Sequence, residues 1–418
     1  MSKSENMPKY VVVVATMDTK GDQIEYLKDK IEEAGQPTCT IDIGVAADGP
    51  FKSTYNRHQV AQAAGTTIQG IFDMKNRRAG LEKMGDGAAN IIREVNAKGE
   101  LGGVIAVGGS QGTAVSLLLM KTVPLGIPKL MLTTIAYSPV VIPETVGGVD
   151  LIMMPWTAGL WGLNSISRQS LETAAVTIAA AAKEYAKKPK TKKKIVGISS
   201  VGGAIQRYVG YLKPELEKRG YEVAVFHALG MQGRMFERAI YDGLIDFSLD
   251  LSVGGELINF LNKGVYSSGE ARLEAAGKMK IPQIVSPGNI EVFMWGNDRP
   301  LPARYKNRIV GWHNALHMSI TTTAKEMGEV GTHMAKKLNM SKGPTIMVLP
   351  LQGIGWAPGT LFGSPQRASV LQKGMAEFTK NVKKSLDPKI RYVELDADFN
   401  DKKYLEKVVE LFDEMRKQ

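Results

Sequence analysis

The sequence predicts an α/β protein of two domains built on mainly parallel sheets. Three observations carry that prediction. The stretch "VVVVATMDTKG" from Val11 begins with four consecutive valines, which suit a strand buried on both faces of a parallel sheet. Behind its polar tip, Ile24, Leu27, Ile31 and Ala34 recur at helical spacing, so a helix packs back on the sheet. The same alternation then restarts after a lysine-rich break. A length of 418 residues with 44% hydrophobic content suits two such domains.

Taken in order, strand-like runs fall at Tyr10–Thr16, Val104–Val107, Leu130–Thr134 and Leu151–Met154, with helical patterns between several of them. The apolar segment "LGGVIAVGGSQGTAVSLLLM" is broken by five glycines and polar residues. It therefore reads as strand, glycine loop and helix, not as a membrane span. The Ala-rich segment Leu171–Lys188 has strong helix propensity and closes a first domain at residues 1–186. Residues 187–194, "KKPKTKKK", hold six lysines and read as a solvated linker, because no aromatic stacking positions interleave to bind nucleic acid.

The second domain, 195–418, reads "KIVGISSVGG" as strand and glycine loop and "YVGYLKPELEKRG" as helix. "YEVAVFHALG", "IDFSLDLS", "IPQIVSPG" and "TIMVLPLQG" follow as further strands. Thr323 with Glu326 three residues later forms a capping box that opens a helix running to about Leu338.

Ligands of open α/β sheets bind outside the carboxyl ends of the strands. Two polar tips are therefore candidates in the first domain. "GGSQGT" from Gly108 to Thr113 reads as a phosphate cradle: Gly109 and Gly112 let backbone N–H groups turn inward, and Ser110 and Thr113 add hydroxyls at a helix start. A Cβ at Gly109 or Gly112 is expected to block a positive φ or to fill the space a phosphate needs. A tight turn with a capping threonine is the structural alternative, and the motif matches neither the dinucleotide nor the P-loop glycine order. At the other tip, Lys20 can neutralise phosphate charge and Asp18 can hold a metal or a ribose hydroxyl, with Thr19 and Gly21 completing the loop. Arg77 and Arg78 can reach the same anion, although paired arginines on a loop are usually solvated.

In the second domain His227 ends a strand, where it can touch a ligand or sit satisfied in the core. "HNALH" places His313 and His317 four apart with Asn314 between them. Zinc is disfavoured, since Asn314 stands where a metalloprotease carries Glu, and "RIVGW" just before reads as a strand. The single Cys39 rules out a disulfide framework and has no nearby His or Asn in sequence, and no G-x-S-x-G elbow is present. With no signal-like opening, a cytoplasmic protein is expected.

With these residues in view, the chain resembles the Tm-one-like ATP-binding family. "ATMDTKGDQ" is similar to the family's Asp-Thr-Lys motif and "AVGGSQGT" to its glycine-serine loop, while "RGYEVAVFHALGMQGRMFE", "RLEAAGKMKIPQIVSPG" and "RYKNRIVGWHN" are similar to its second-domain blocks. The resemblance implies two Rossmann-like subdomains, each a doubly wound, mainly parallel sheet, with ATP and Mg²⁺ in the first. Carried over, Asp18, Thr19, Lys20, Arg77, Gly109, Ser110, Gln111, Gly112 and Thr113 contact nucleotide. His227, His313 and Asn314 are the second-site candidates. Ile320 replaces an Arg usual in the family before its paired threonines, "SSVGGAIQ" and "SVGGELINFL" replace more Thr-rich loops, and "PLQGIGWAPGTLFG" is a diverged late block.

The expected function is an ATP-dependent enzyme acting on a small anionic metabolite in the interdomain cleft. The alternative is a nucleotide-gated protein-binding module that works with a TIM-barrel partner. A homo-oligomer is expected, a membrane association is not, and RNA binding through the lysine run is the weakest reading.

Overall fold

A computed structural model describes residues 9–187, 193–202, 205–261, 266–354 and 365–417. The chain divides into two compact units, Met1–Lys190 and Thr191–Gln418. Of the lysine run, Lys188, Lys190 and Lys192 lie outside the described residues, as does most of the late block at 355–364. No helix among the described residues is long and apolar enough to cross a membrane.

The first unit contains β1 (Tyr10–Ala15), α1 (Met17–Glu33), β2 (Thr38–Asp42), α2 (Arg57–Ala63), α3 (Ile68–Asp73) and α4 (Arg77–Ala97). They are followed by β3 (Leu101–Gly108), α5 (Ser110–Met120), β4 (Lys129–Thr133), α6 (Pro143–Val146), β5 (Ile152–Pro155) and α7 (Ser165–Ala186). Its strands lie in the order β2-β1-β3-β4-β5, all parallel. The valines of β1 show why the strand is apolar throughout. Val12 and Val14 join a core with α2, α4 and α5, while Val11 and Val13 join one with α1 and α7 on the other face.

The second unit runs β6 (Ile195–Ser200), a π-helical turn (Ile205–Val209), α8 (Gly210–Lys218), β7 (Glu222–His227), α9 (Gly230–Tyr241), β8 (Phe247–Ser252), α10 (Gly254–Leu261), α11 (Ala275–Met279) and β9 (Gln283–Gly288). Then come β10 (Val292–Gly296), β11 (Val310–Trp312), β12 (His317–Thr321), α12 (Ala324–Asn339), β13 (Thr345–Pro350), α13 (Pro365–Ser385), β14 (Arg391–Leu395) and α14 (Lys402–Met415). Six parallel strands lie in the order β14-β13-β9-β8-β6-β7. Inserted after β9, a three-stranded antiparallel sheet has the order β10-β12-β11. The expected capping box is present: Thr323 Oγ1 accepts from Glu326 N–H, and the Glu326 carboxylate accepts from Thr323 N–H.

Both units thus hold mainly parallel, doubly wound sheets, and in both the chain reverses its winding between the first and third strands. At such a reversal two neighbouring strands send their connections to opposite faces, which opens a crevice at their carboxyl ends.

Candidate functional site

In the first unit the reversal falls between β1 and β3. A cavity of about 810 Å³ opens there, walled by the segments that follow β1 and β3 and by the start of α4. The Asp18–Gly21 segment, expected as a loop, is instead the first turn of α1, which starts at Met17. The helix starts early because Asp42, at the end of β2, accepts from Met17 N–H at 3.0 Å and from Gly44 N–H at 2.8 Å, acting as a remote cap. Burial raises the Asp42 pKa against the pull of those two N–H donors. Gly21 is glycine for a packing reason, since a Cβ there would stand 2.1 Å from a Pro50 ring carbon.

Lys20 is buried, at 9% exposure, and lines the cavity. Its Nζ donates to Gly159 O at 3.0 Å and to Leu160 O, and it lies over the Trp156 ring at 5.2 Å. It forms no ion pair with a carboxylate among the described residues, and burial lowers its pKa. Asp18, on the same helical turn, accepts from Ala46 N–H through Oδ2 at 2.9 Å, while its buried Oδ1 has no hydrogen-bond partner. Thr19 Oγ1 lies 3.0 Å from Thr16 Oγ1.

The β3 tip supplies the opposite wall. Gly109 is the N-cap of α5 and provides no side-chain cap, so the first amides of the helix, at Ser110, Gln111 and Gly112, are left for other acceptors. These four residues line the cavity. Gly109 has φ −80°, and neither it nor Gly112 has the positive φ that the sequence suggested. A Cβ at either would meet its nearest atom at an ordinary 3.7 Å, so these glycines matter for the space they leave, not for backbone strain. Gly108 and Thr113 stand apart from the wall. Gly108 ends β3 with Gly112 Cα 2.9 Å from where its Cβ would be, and Thr113 Oγ1 is 2.6 Å from Thr133 Oγ1 in the core.

Arg77 and Arg78 begin α4, capped by Asn76, whose side chain accepts from Ala79 N–H at 3.1 Å. Arg77 faces the cavity, whereas Arg78 pairs with Glu82 at 2.8 Å on the surface. Lys75, Phe72 and Leu160 also line the cavity, and sequence reasoning missed all three. Asn76 before a helical run was a readable cap signal that would have fixed the position of Lys75. Leu160 lies in an irregular segment with no such signal.

The second unit brings His227, His313 and His317 to one cavity of about 170 Å³. His313 and His317 flank the β11–β12 turn and stack at 4.7 Å, so they face each other across a hairpin and not along a helix. Asn314 forms that turn, with its Oδ1 accepting from Leu316 and His317 N–H. It does not line the cavity. Ile320 is fully buried in β12, in the core of this unit. Cys39 is also buried, and its thiol is pushed up to about 11 by burial, so it stays protonated. No group of three or more His, Cys, Asp or Glu side chains able to hold a metal ion occurs among the described residues.

A model of the N-terminal domain of the uncharacterised protein family UPF0261 matches residues 9–187, and that of its C-terminal domain matches residues 193–416. The chain belongs to the UPF0261 family. A UPF0261 protein of Brucella suis is 34% identical over 417 residues, covering 99% of this chain and 97% of the relative. One from Clostridium tetani is 32% identical over 400 residues, covering 95% and 96%. The ToMV resistance protein Tm-1 of Solanum lycopersicum is 25% identical over 425 residues, covering 96% of this chain but 55% of the plant protein. The likeness to these UPF0261 proteins runs through both units.

Proposed function

We propose that the first unit binds ATP with Mg²⁺ and that the protein is an ATP-dependent enzyme acting on a small anionic metabolite. The observation that carries this reading is Lys20, a buried ammonium that forms no carboxylate pair among the described residues, placed at a strand reversal beside the uncapped start of α5. A buried charge of this kind is costly unless an anion joins it, and free helix amides favour the same ligand. Lys75 and Arg77 add positive charge, and Phe72 and Leu160 offer apolar surface to a base.

The donor set fits magnesium held in the manner of phosphate-transfer sites, where one or two carboxylates share the ion with phosphate oxygens. Asp18 Oδ1 is the group that would hold it, and the ion would neutralise charge on the phosphates. Around it Lys20, Arg77 and the α5 amides would fix the phosphate chain and offset charge that develops on it.

The second reading is a nucleotide-gated binding module. It is favoured by the Lys20 contacts to Gly159 and Leu160, because that segment exposes Leu160 (77%) and Trp161 (85%). A nucleotide that takes over Lys20 would release an apolar segment for a protein partner. Calorimetry with Mg-ATP tests the site. Gly109→Val should abolish binding while the circular dichroism spectrum stays that of the parent, since the new Cβ has room in the protein but occupies the ligand's place. A folded Gly109→Val variant that binds as the parent does would remove the cradle. ADP release across a panel of small carboxylates and sugar acids then separates enzyme from module.

A further inference from the structure

The second unit's strand reversal, between β6 and β8, has a different lining. The cavity there is lined by residues at or just after the carboxyl ends of β6, β7, β8 and β9 and by residues of β10 and β12 of the inserted sheet. Among the described residues no Lys, Arg, Asp or Glu lines it. Apart from its three histidines, the polar groups described there carry no charge, and its walls include Leu229, Ile258 and Phe293.

Two of these polar groups have a defined hydrogen-bonding sense. Leu229 N–H donates to His227 Nδ1 at 3.2 Å, so the neutral ring carries its proton on Nε2 and offers a donor. Asn289 sits at φ 63°, in the left-handed region that asparagine tolerates better than most residues. It is held there by its own N–H, which donates to Ile354 O at 3.0 Å, and by Ser252 Oγ, which donates to its Oδ1 at 2.8 Å. Its side-chain oxygen is thereby used, and its Nδ2 forms no hydrogen bond among the described residues. Non-glycine residues held at such angles concentrate at ligand sites.

We infer that the second unit carries a binding site of its own for a small carbonyl compound, uncharged or singly negative, whose oxygen accepts from His227 Nε2 and Asn289 Nδ2 while its carbon skeleton packs on Leu229, Ile258 and Phe293. Burial lowers the His227 pKa, and burial together with His313 and His227 lowers that of His317, so these rings bring no full charge at neutral pH. A phosphate would find no cation among the described residues to match its double charge, and a nucleotide exceeds a cavity of about 170 Å³. This site does not depend on the nucleotide reading of the first unit.

Imidazole C–H resonances of the full-length protein provide the test, because the chain has only five histidines. Pyruvate and methyl pyruvate are the probes, with inorganic phosphate as the contrast. Either probe should move the His227 and His317 resonances saturably and leave those of His58 and His333 in place. Gly202→Phe should block the effect, since a Cβ at Gly202 meets no atom of the described residues within 4 Å and the ring would enter the cavity mouth. His227→Gln should weaken binding about fivefold, the loss of one neutral hydrogen bond. The inference fails if neither probe moves these resonances, if a folded Gly202→Phe variant binds at parent affinity, or if phosphate binds there more tightly than both probes.

Discussion

The two strand reversals share a winding order and differ in what becomes of their charge. At the first, Lys20 is buried against backbone carbonyls and the Trp156 ring, with no carboxylate partner among the described residues. At the second, the nearby buried cation is paired with carboxylates: Arg272 Nη1 donates to Glu237 Oε1 at 2.9 Å, both Nη atoms donate to Asp250, and Ser199 Oγ donates to Asp250 at 2.6 Å. The carbonyl ends of similar sheets therefore present opposite chemistries. A crevice comes from topology, but the ligand it suits is decided by whether the fold has already satisfied its own charges.

The largest expected effect breaks the paired side. Arg272→Met leaves Glu237 and Asp250 buried together without their cation, and removing one partner of such a group costs about 3–5 kcal/mol. Urea unfolding, with hydrogen exchange read on β8, should show that loss in the second unit while the first keeps its own protection. Adding Asp250→Asn to Arg272→Met should recover part of the stability. A loss in Arg272→Met below about 1 kcal/mol would mean that the network only decorates the core.

Lys20→Met tests the unpaired side, and its signature is the reverse. Removing an ammonium that costs desolvation should change stability by no more than about 1 kcal/mol, yet weaken Mg-ATP binding about tenfold or more, the scale of a charge-assisted hydrogen bond. The pH dependence has a definite sign. Burial lowers the Lys20 pKa and a bound anion raises it again, so affinity is complete below the lowered value and falls as pH rises through it. Turnover that survives Lys20→Met at saturating ATP would place the chemistry away from this residue.

What the sequence made legible follows from the same contrast. The buried strand Val11–Val14 was readable because a parallel sheet asks for β-branched or apolar residues on both faces. Thr323 and Glu326 announced α12 through a local pairing. β2, with the sequence TCTID, passed unread because its pairing with β1 is non-local and its polar residues are satisfied by distant partners, as Thr40 is by Thr54. The inserted sheet was visible only at β11, since short antiparallel strands carry weak patterns. At the candidate sites, glycines and a lysine at strand ends pointed to the first crevice. Tyr266 and Asn289 did not point to the second, because only the tertiary fold brings them beside His227.

The smallest effect concerns the rings of the second cavity. The groups that face His317 there are His313 from the hairpin turn, His227 from the end of β7 and Tyr266 from the segment after α10. Among the described residues no carboxylate lines the cavity to stabilise an imidazolium. His227 and His317 both have pKa values below the ordinary imidazole value of 6.5, chiefly from burial. The unfolded chain takes up protons at the ordinary value, so between that value and the lowered ones it binds more protons than the folded chain. Stability is therefore complete above about pH 6.5 and falls as pH drops below it. Both rings have solvent access, which limits the expected loss to about 2 °C in the melting temperature of the second unit between pH 7.5 and 5.5. In the His227→Gln, His317→Gln double variant that slope should flatten. A slope that persists in the double variant would assign the acid sensitivity to other groups and leave the second crevice without its uncharged character.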